Sequence, residues 1–411
     1  MTVVQLNTVY GKGSTGKIVM GIHRRLMRSG HTSYVLCGYR NKDLHDPNVY
    51  AISCKLLRGI SQIWIKCSGL KNGGAYLQTL AALLFIRYAA PDIVHIHVIN
   101  TPDFNTYWIL RYLARHQIKT VLSLHGEYFY TAGCEHAYDC DKWIDSECVN
   151  CCRAKDVCRC WTRNDPHRLW KRIHESIRRF DAKKLRVICV SDWMAERARK
   201  SKMLKNYRVY TIPNGVDTSI FHPTDDAENN IPIGWPMGNC PIILYVTAYF
   251  DSSPNSNKGG QFIEEIAKRV SPFEANIVVA AMYGTYVPKN NNVHFLGSVL
   301  NQNALASMYN TSDITLVLSK RETFCMPVAE SLCCGTPVVG FRSGGPESIT
   351  PENCGEYVPY GDVNALVDSI AAWLKKKKSS PILRSSIAAV AHELFDENIM
   401  AENYLNEYSK S

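Results

Sequence analysis

"SKRETFCMPVAESLCCGTPVVG", residues 319–340, sets two carboxylates, Glu322 and Glu330, eight positions apart. The run before them, "DITLVL" (313–318), is apolar and β-rich. A helical pattern starts near Pro327, and "TPVVGF" (336–341) reads as the next strand. Strand, loop, helix and strand in that order are a βαβ unit of a parallel sheet. Glu322 then lies just beyond a strand end and Glu330 within the following helix. Carboxylates so placed can bind two groups of one ligand, such as a ribose diol and a sugar hydroxyl, where open α/β sheets take their ligands. Two solvated glutamates would need no fixed company, whereas Phe324, Gly335 and "PVV" stand at set offsets here.

Outward from this unit the same alternation fills the chain. Before it lie "IILYVT" (242–247), "NIVVAA" (276–281) and "VHFLG" (293–297). The first half holds "VVQLN" (3–7), "SYVLCG" (33–38), "DIVHIH" (92–97), "TVLSLH" (120–125), "RVICVS" (186–191) and "RVYTIPN" (208–214). Such continuous apolar strands belong to parallel sheets covered by helices on both faces. A polar stretch, residues 222–239, reads as a linker. The 411 residues exceed one ordinary core and suit two domains. The expected fold is α/β: two Rossmann-like, doubly wound parallel-sheet domains facing a cleft. They span 1–222 and 240–390, with a cysteine-rich insert at 131–165 and a helical segment at 391–411 packing back towards the first domain.

Charge is uneven. Residues 1–217 hold 34 Lys and Arg against 17 Asp and Glu, and the remainder holds 13 against 20. The basic half can meet nucleic acid, anionic lipid or a phosphorylated substrate. The N-terminus lacks the basic and apolar regions of a secretory signal. The most apolar run, residues 77–90, is short for a membrane span and contains Arg87. A cytosolic chain, at most lying on a membrane, is expected.

"VYGKGSTGKIVMGIHRRLMRSG" (9–30) resembles a nucleotide P-loop until Ile18, where a magnesium-binding Ser or Thr is required. A kinase or ATPase reading stays the alternative from another enzyme class, with Ile18 arguing strongly against it. What remains is a glycine-rich turn opening a helix, whose amides attract anions; an ordinary tight turn reads the same way. Seven of the sixteen cysteines fall between 134 and 160. Cys134, Cys140, Cys148 and Cys151 have a spacing that can close a tetrahedral zinc site, with Cys152, Cys158, Cys160 and His136 as alternative ligands. Free thiols are the competing reading. A non-catalytic, zinc-containing nucleic-acid binder is the third functional class, and it requires binding that survives loss of both motif glutamates. Residues 167–186 place Trp170, Ile173, Ile177 and Phe180 on one stripe among basic residues. That pattern suits a core-facing helix, and with its basic face outward also docking to anionic lipid.

Taken in order, five motifs resemble the retaining glycosyltransferases of family 4, whose fold is called GT-B. They are the loop from Gly11 to Gly16, the strand-end His125, "PNGVDTSIF" (213–221), Lys258 with Gly259, and Glu322 with Glu330. The resemblance covers nearly the whole chain. It implies transfer of a hexose or N-acetylhexosamine from a nucleotide-diphosphate sugar, with no metal required. Glu330 would hold the donor ribose, Glu322 the sugar hydroxyls and Lys258 the diphosphate, alone or with Arg321. Gly259, Phe324, Cys325, Met326 and Leu296 would complete the donor site, and His125 would orient the transferred sugar. Gly11, Gly13, Ser14, Thr15, Gly16 and Lys17 would face the acceptor. Cys325 stands where the family commonly has Gly, Gly126 replaces an Asp after the histidine, and "VTAYF" (246–250) lacks the family's Gly-Arg pair. The cysteine insert is similar to those of bacterial surface-polysaccharide enzymes. The implied acceptor is a lipid-diphosphate-linked glycan at the cytoplasmic face of the inner membrane, with anionic lipid and not nucleic acid as partner.

Overall fold

The structure is a computed structural model and describes residues 1–41, 43–162, 164–236, 238–270, 275–379 and 383–410. The chain forms two compact units, Met1–Pro213 with Met400–Ser411, and Asn214–Ile399. The stretch expected as a linker includes Met237, which lies outside the described residues.

In the first unit the elements run β1 (Thr2–Tyr10), α1 (Gly13–Arg28), β2 (Thr32–Arg40), β3 (Val49–Ala51), α2 (Lys55–Ser68), α3 (Tyr76–Ala89) and β4 (Ile93–Ile96). They continue as α4 (Thr106–Arg115), β5 (Thr120–Leu124), α5 (Ala154–Cys158), α6 (Pro166–Ile177), β6 (Leu185–Cys189), α7 (Asp192–Lys200) and β7 (Arg208–Thr211). The strands pair in parallel in the order β3-β2-β1-β4-β5-β6-β7. β4, β5 and β6 are buried along their whole length because helices cover both faces. α1 lays Ile18, Ile22 and Leu26 on this sheet against Val3, Ile93 and Val121. Side-chain caps start α4, α6 and α7: Asn105 accepts from the Trp108 amide, Asp165 from the Arg168 amide and Ser191 from the Met194 amide.

The second unit runs β8 (Ile242–Tyr249), α8 (Ile263–Val270), β9 (Asn276–Tyr283), β10 (Val293–Gly297), α9 (Gln302–Thr311), β11 (Ile314–Val317), α10 (Met326–Cys333) and β12 (Val338–Phe341). α11 (Gly345–Ile349), β13 (Gly355–Val358), α12 (Val363–Ser379) and α13 (Leu383–Phe395) follow. Its parallel sheet has the order β10-β9-β8-β11-β12-β13, which reverses direction between β8 and β11. At such a switch point the loops beyond β8 and β11 part and leave room for a ligand. The last helix, α14 (Glu397–Ser409), belongs mostly to the first unit. There Arg186 pairs with Glu407 at 3.1 Å and the Tyr408 hydroxyl bonds His95 at 2.6 Å. Among the described residues no helix is long and apolar enough to cross a membrane.

Candidate functional site

At the switch point the chain after β8 must approach the end of β11 closely. Gly259 permits this: its φ is +83°, and a Cβ there would lie 2.1 Å from the Leu318 carbonyl oxygen. The approach brings Lys258 to Glu322, with Nζ 2.6 Å from Oε1. The Tyr245 hydroxyl donates to the Lys258 carbonyl at 2.6 Å and holds the backbone from below. Glu322 is pinned on both sides. Its amide donates to the Ser343 carbonyl at 3.0 Å, and its carbonyl accepts from Gly345 at 2.9 Å. Half-buried Arg321 is the preceding residue, its carbonyl accepting from the Asn257 side chain at 3.0 Å.

Glu330 lies on α10, half-buried, with its Oε2 accepting from the Tyr309 hydroxyl at 3.1 Å. Burial, reinforced by the Glu330 charge, pushes the Tyr309 phenol well up, so it stays a donor and orients the carboxylate. Nothing in the spacing of α9 marks Tyr309 as more than a core residue. α10 starts at Met326, and its N-terminal end carries the positive pole of the helix dipole towards this segment. Phe324 is buried edge-on against Phe395. Cys325 has φ +79°, a conformation that favours glycine, so the departure from Gly at this position keeps the glycine-like backbone. Leu296 is half-buried on the edge strand β10, with β9 between that strand and β8. The sequence-derived group thus gathers as Lys258, Arg321 and Glu322 with the start of α10. Glu330 is fixed farther along the helix, and Leu296 stands apart at the sheet edge.

In the first unit His125 follows β5. Its Nε2 lies 3.2 Å from His97 Nδ1, and the two rings stack. His97 Nε2 is 3.2 Å from the side-chain Oε1 of Gln5, an acceptor, so Nε2 carries the proton and Nδ1 accepts from His125. Behind them, His95 bonds Ser123 at 2.7 Å, and Ser123 bonds Tyr404 at 2.9 Å. Burial pushes His125 down to about 4 and His95 and His97 well below their usual range. All three rings are neutral at pH 7. The unfolded chain takes up protons near pH 6.5 and the folded chain only near pH 4 or below, so stability falls as pH drops through that window. The melting temperature should therefore decline steadily from pH 6.5 to pH 4 in a calorimetric series; a flat profile contradicts a neutral buried triad.

The first loop sits between β1 and α1. Ile18 is a core residue, 3% exposed, which removes position 18 as a magnesium ligand. The Gly11 amide is already bonded to the Gly16 carbonyl at 3.0 Å. Gly13, Ser14 and Lys17 are exposed, Thr15 half-buried, and Gly16 buried against Val9.

The cysteine insert follows β5 and holds the four cysteines with zinc-like spacing. Cys148 lies within electrostatic reach of Cys134, Cys151 and Cys140, so the four thiols do come near one another. Yet among the described residues no three His, Cys, Asp or Glu side chains are gathered so as to hold a metal ion. Burial pushes the Cys134 thiol up to about 11 and the Cys148 thiol up to about 12. What ties the insert down is Glu127, fully buried. It accepts from the Tyr130 hydroxyl at 2.9 Å, from Arg197 at 2.7 Å and from the Ala137 amide, while Arg197 lies over the Trp143 ring. An acidic residue just after a strand-end "HG" carries no sequence signal for this hub.

Comparison with known proteins adds to this geometry. The sequence model "Glycosyltransferase Family 4" matches residues 15–220, and "Glycosyl transferases group 1" matches residues 287–388. N-acetyl-alpha-D-glucosaminyl L-malate synthase of Bacillus anthracis is 27% identical over 49% of this chain and 53% of its own. MMP alpha-(1->4)-mannosyltransferase of Mycolicibacterium hassiacum is 21% identical over 61% of this chain and 60% of its own. The chain thus spans little more than half the length of these relatives. Among solved structures, Anabaena HepE in complex with UDP superposes with a TM-score of 0.66 at 15% identity, covering all of both chains. WaaG, a glycosyltransferase of lipopolysaccharide biosynthesis, superposes at 0.61 with 15% identity and the same coverage. Two parallel-sheet Rossmann-like units with these neighbours are the GT-B fold, and with half its length matched by the family model the chain belongs to Glycosyltransferase Family 4.

Proposed function

We propose that this glycosyltransferase moves a hexose or N-acetylhexosamine, with retention of configuration, from a nucleotide-diphosphate sugar to a lipid-diphosphate-linked glycan. The setting is the cytoplasmic face of a bacterial inner membrane, in surface-polysaccharide synthesis. The observation that carries the donor assignment is the Lys258–Glu322 ion pair beside the start of α10. Lys258 exchanges its carboxylate partner for the donor diphosphate and stabilises the charge that builds there as the glycosidic bond breaks. Glu322, so released, accepts from hydroxyls of the transferred sugar. Glu330, aimed by Tyr309, accepts from the ribose diol. Arg321 and the amides at Cys325 and Met326 add positive field, and the Leu296 side bounds the base. His125, fixed by His97, orients the sugar. HepE solved with UDP-glucose supports a nucleotide-sugar donor, and WaaG's lipopolysaccharide role supports the acceptor class.

In this reading the loop from Gly11 to Lys17 meets the acceptor phosphates. Lys17→Ala should leave nucleoside-diphosphate affinity within about twofold and slow transfer to a lipid-diphosphate-linked sugar tenfold or more. The test is a panel of nucleotide sugars with that acceptor, read by product mass and by the anomeric coupling of the new linkage. Loss of nucleotide binding in Lys17→Ala places the loop on the donor. An inverted product removes the retaining assignment. Transfer only to a soluble phosphorylated polyol, the acceptor type named for relatives called D-inositol 3-phosphate glycosyltransferase, replaces the lipid acceptor.

A further inference from the structure

Helices of a covered sheet usually turn their apolar stripe inward and their polar face to water. α2 and α3 do not. On α2, Leu56, Ile60 and Ile63 are exposed and spaced as one helical stripe. On α3, Leu77, Leu80 and Leu84 form a second exposed stripe, continued by Tyr88 at 87% exposure. The two helices meet where the Trp64 ring stands edge-on to Tyr76 at 5.2 Å, and Tyr76 stands edge-on to Trp108 of α4 at 4.8 Å. Trp161, 67% exposed, lies under the Lys66 ammonium. The stripes and aromatic rings therefore join into one face. Contiguous apolar exposure of this kind marks an interaction surface, unlike scattered exposed leucines.

The charges around it are mainly basic. Neither α2 nor α3 contains Asp or Glu, while Lys55, Lys66 and Arg87 are exposed on them. Beside Tyr76, within electrostatic reach of its phenol, stands Arg172. That residue opens a groove of about 460 Å³ between α4 and α6, lined also by Arg111, Arg168 and Lys171. Its two carboxylates are engaged: Asp165 caps α6 and Glu175 lies 3.9 Å from Arg111. Leucine stripes with a Trp and Tyr border and a surround in which cations outnumber carboxylates match the boundary between anionic headgroups and acyl chains. A protein partner of ordinary polarity would leave the basic groove without counter-charge.

We propose that this face seats the first unit on an anionic lipid bilayer, the α2 and α3 stripes entering the headgroup boundary and the groove between α4 and α6 taking lipid phosphates. The proposal deepens the lipid-linked acceptor reading and rests on it. It also moves docking away from α6 alone, whose apolar side, Leu169, Trp170, Ile173 and Ile177, is buried.

Co-sedimentation with vesicles tests it, using equimolar phosphatidylglycerol and phosphatidylcholine against phosphatidylcholine alone. The full chain should bind the anionic vesicles at least tenfold more tightly, and less as salt rises. The double variant Leu77→Glu, Leu84→Glu should lose tenfold or more of that binding. Arg168→Glu with Lys171→Glu should remove most of the salt-sensitive part. Melting temperature and nucleoside-diphosphate affinity should stay unchanged in both, since the altered side chains lie on the surface of α3 and α6. Wild-type protein that ignores anionic vesicles, or variants that bind as well as wild type, overturns the proposal. So does a wild-type dimer in light scattering that the leucine variant converts to monomer, because a second copy would then cover the face. Transfer to a detergent-dispersed lipid acceptor separates the two readings: retained there without vesicle binding, it removes the docking face and leaves the acceptor assignment standing.

Discussion

Lys258→Ala should lower turnover by about two to three orders of magnitude, the usual cost of removing a preorganised group that meets developing charge. The ion pair makes the argument specific. Glu322 holds the ammonium 2.6 Å away, and Gly259 and Tyr245 fix the backbone that carries it. The ammonium is therefore in place before the diphosphate leaves, and little reorganisation accompanies reaction. Removing it also leaves Glu322 without its partner, so sugar discrimination should suffer in the same variant. Steady-state kinetics with the preferred donor, beside a melting curve that reports intact folding, separate this from collapse. Turnover within threefold of wild type would move the phosphate role to Arg321.

Glu127→Ala should cost about 3–5 kcal/mol, the range for breaking one side of a buried ion pair. The carboxylate is wholly buried and serves Arg197, the Tyr130 hydroxyl and a backbone amide at once. Its loss leaves three buried donors unsatisfied at the base of the cysteine insert. For a unit of this size that corresponds to a fall in melting temperature of about 6 °C or more. Differential scanning calorimetry of the variant decides it. Nucleoside-diphosphate affinity, on the proposal that the other unit holds the donor, should survive at a temperature where the variant remains folded. A shift below about 2 °C would show that the insert is held by other contacts.

The parallel architecture was legible because its central strands are unbroken apolar runs; β4, β5 and β11 are buried from end to end. Two strands escape such a reading. β3 and β13 are edge strands of three and four residues, each with a single buried residue, so neither presents an apolar run. Residues 77–90 were read by hydropathy as an apolar run too short to span a membrane. In the fold they lie almost entirely within α3, whose leucines face outward, a feature that burial reveals and periodicity does not. In the candidate site, Lys258 and Glu322 were visible as motif residues, but their pairing depends on a loop crossing between β8 and β11. Tyr309 and His97 were hidden because each acts through a partner distant in sequence: Glu330, 21 positions on, and His125, 28 positions on. The cysteine spacing marked residues that the fold brings near one another, but it gave no sign of buried Glu127, which ties the insert down through Arg197, Tyr130 and the Ala137 amide.

The central claim is that the second unit alone holds the nucleotide, through a carboxylate on α10. Isothermal titration of uridine and guanosine diphosphates into the wild-type chain and into Glu330→Ala tests it most directly. The account predicts that one nucleotide binds the wild type and that its affinity falls about tenfold or more in the variant, in which two ribose hydrogen bonds to a charged acceptor are lost. Equal affinity in the two proteins would contradict it.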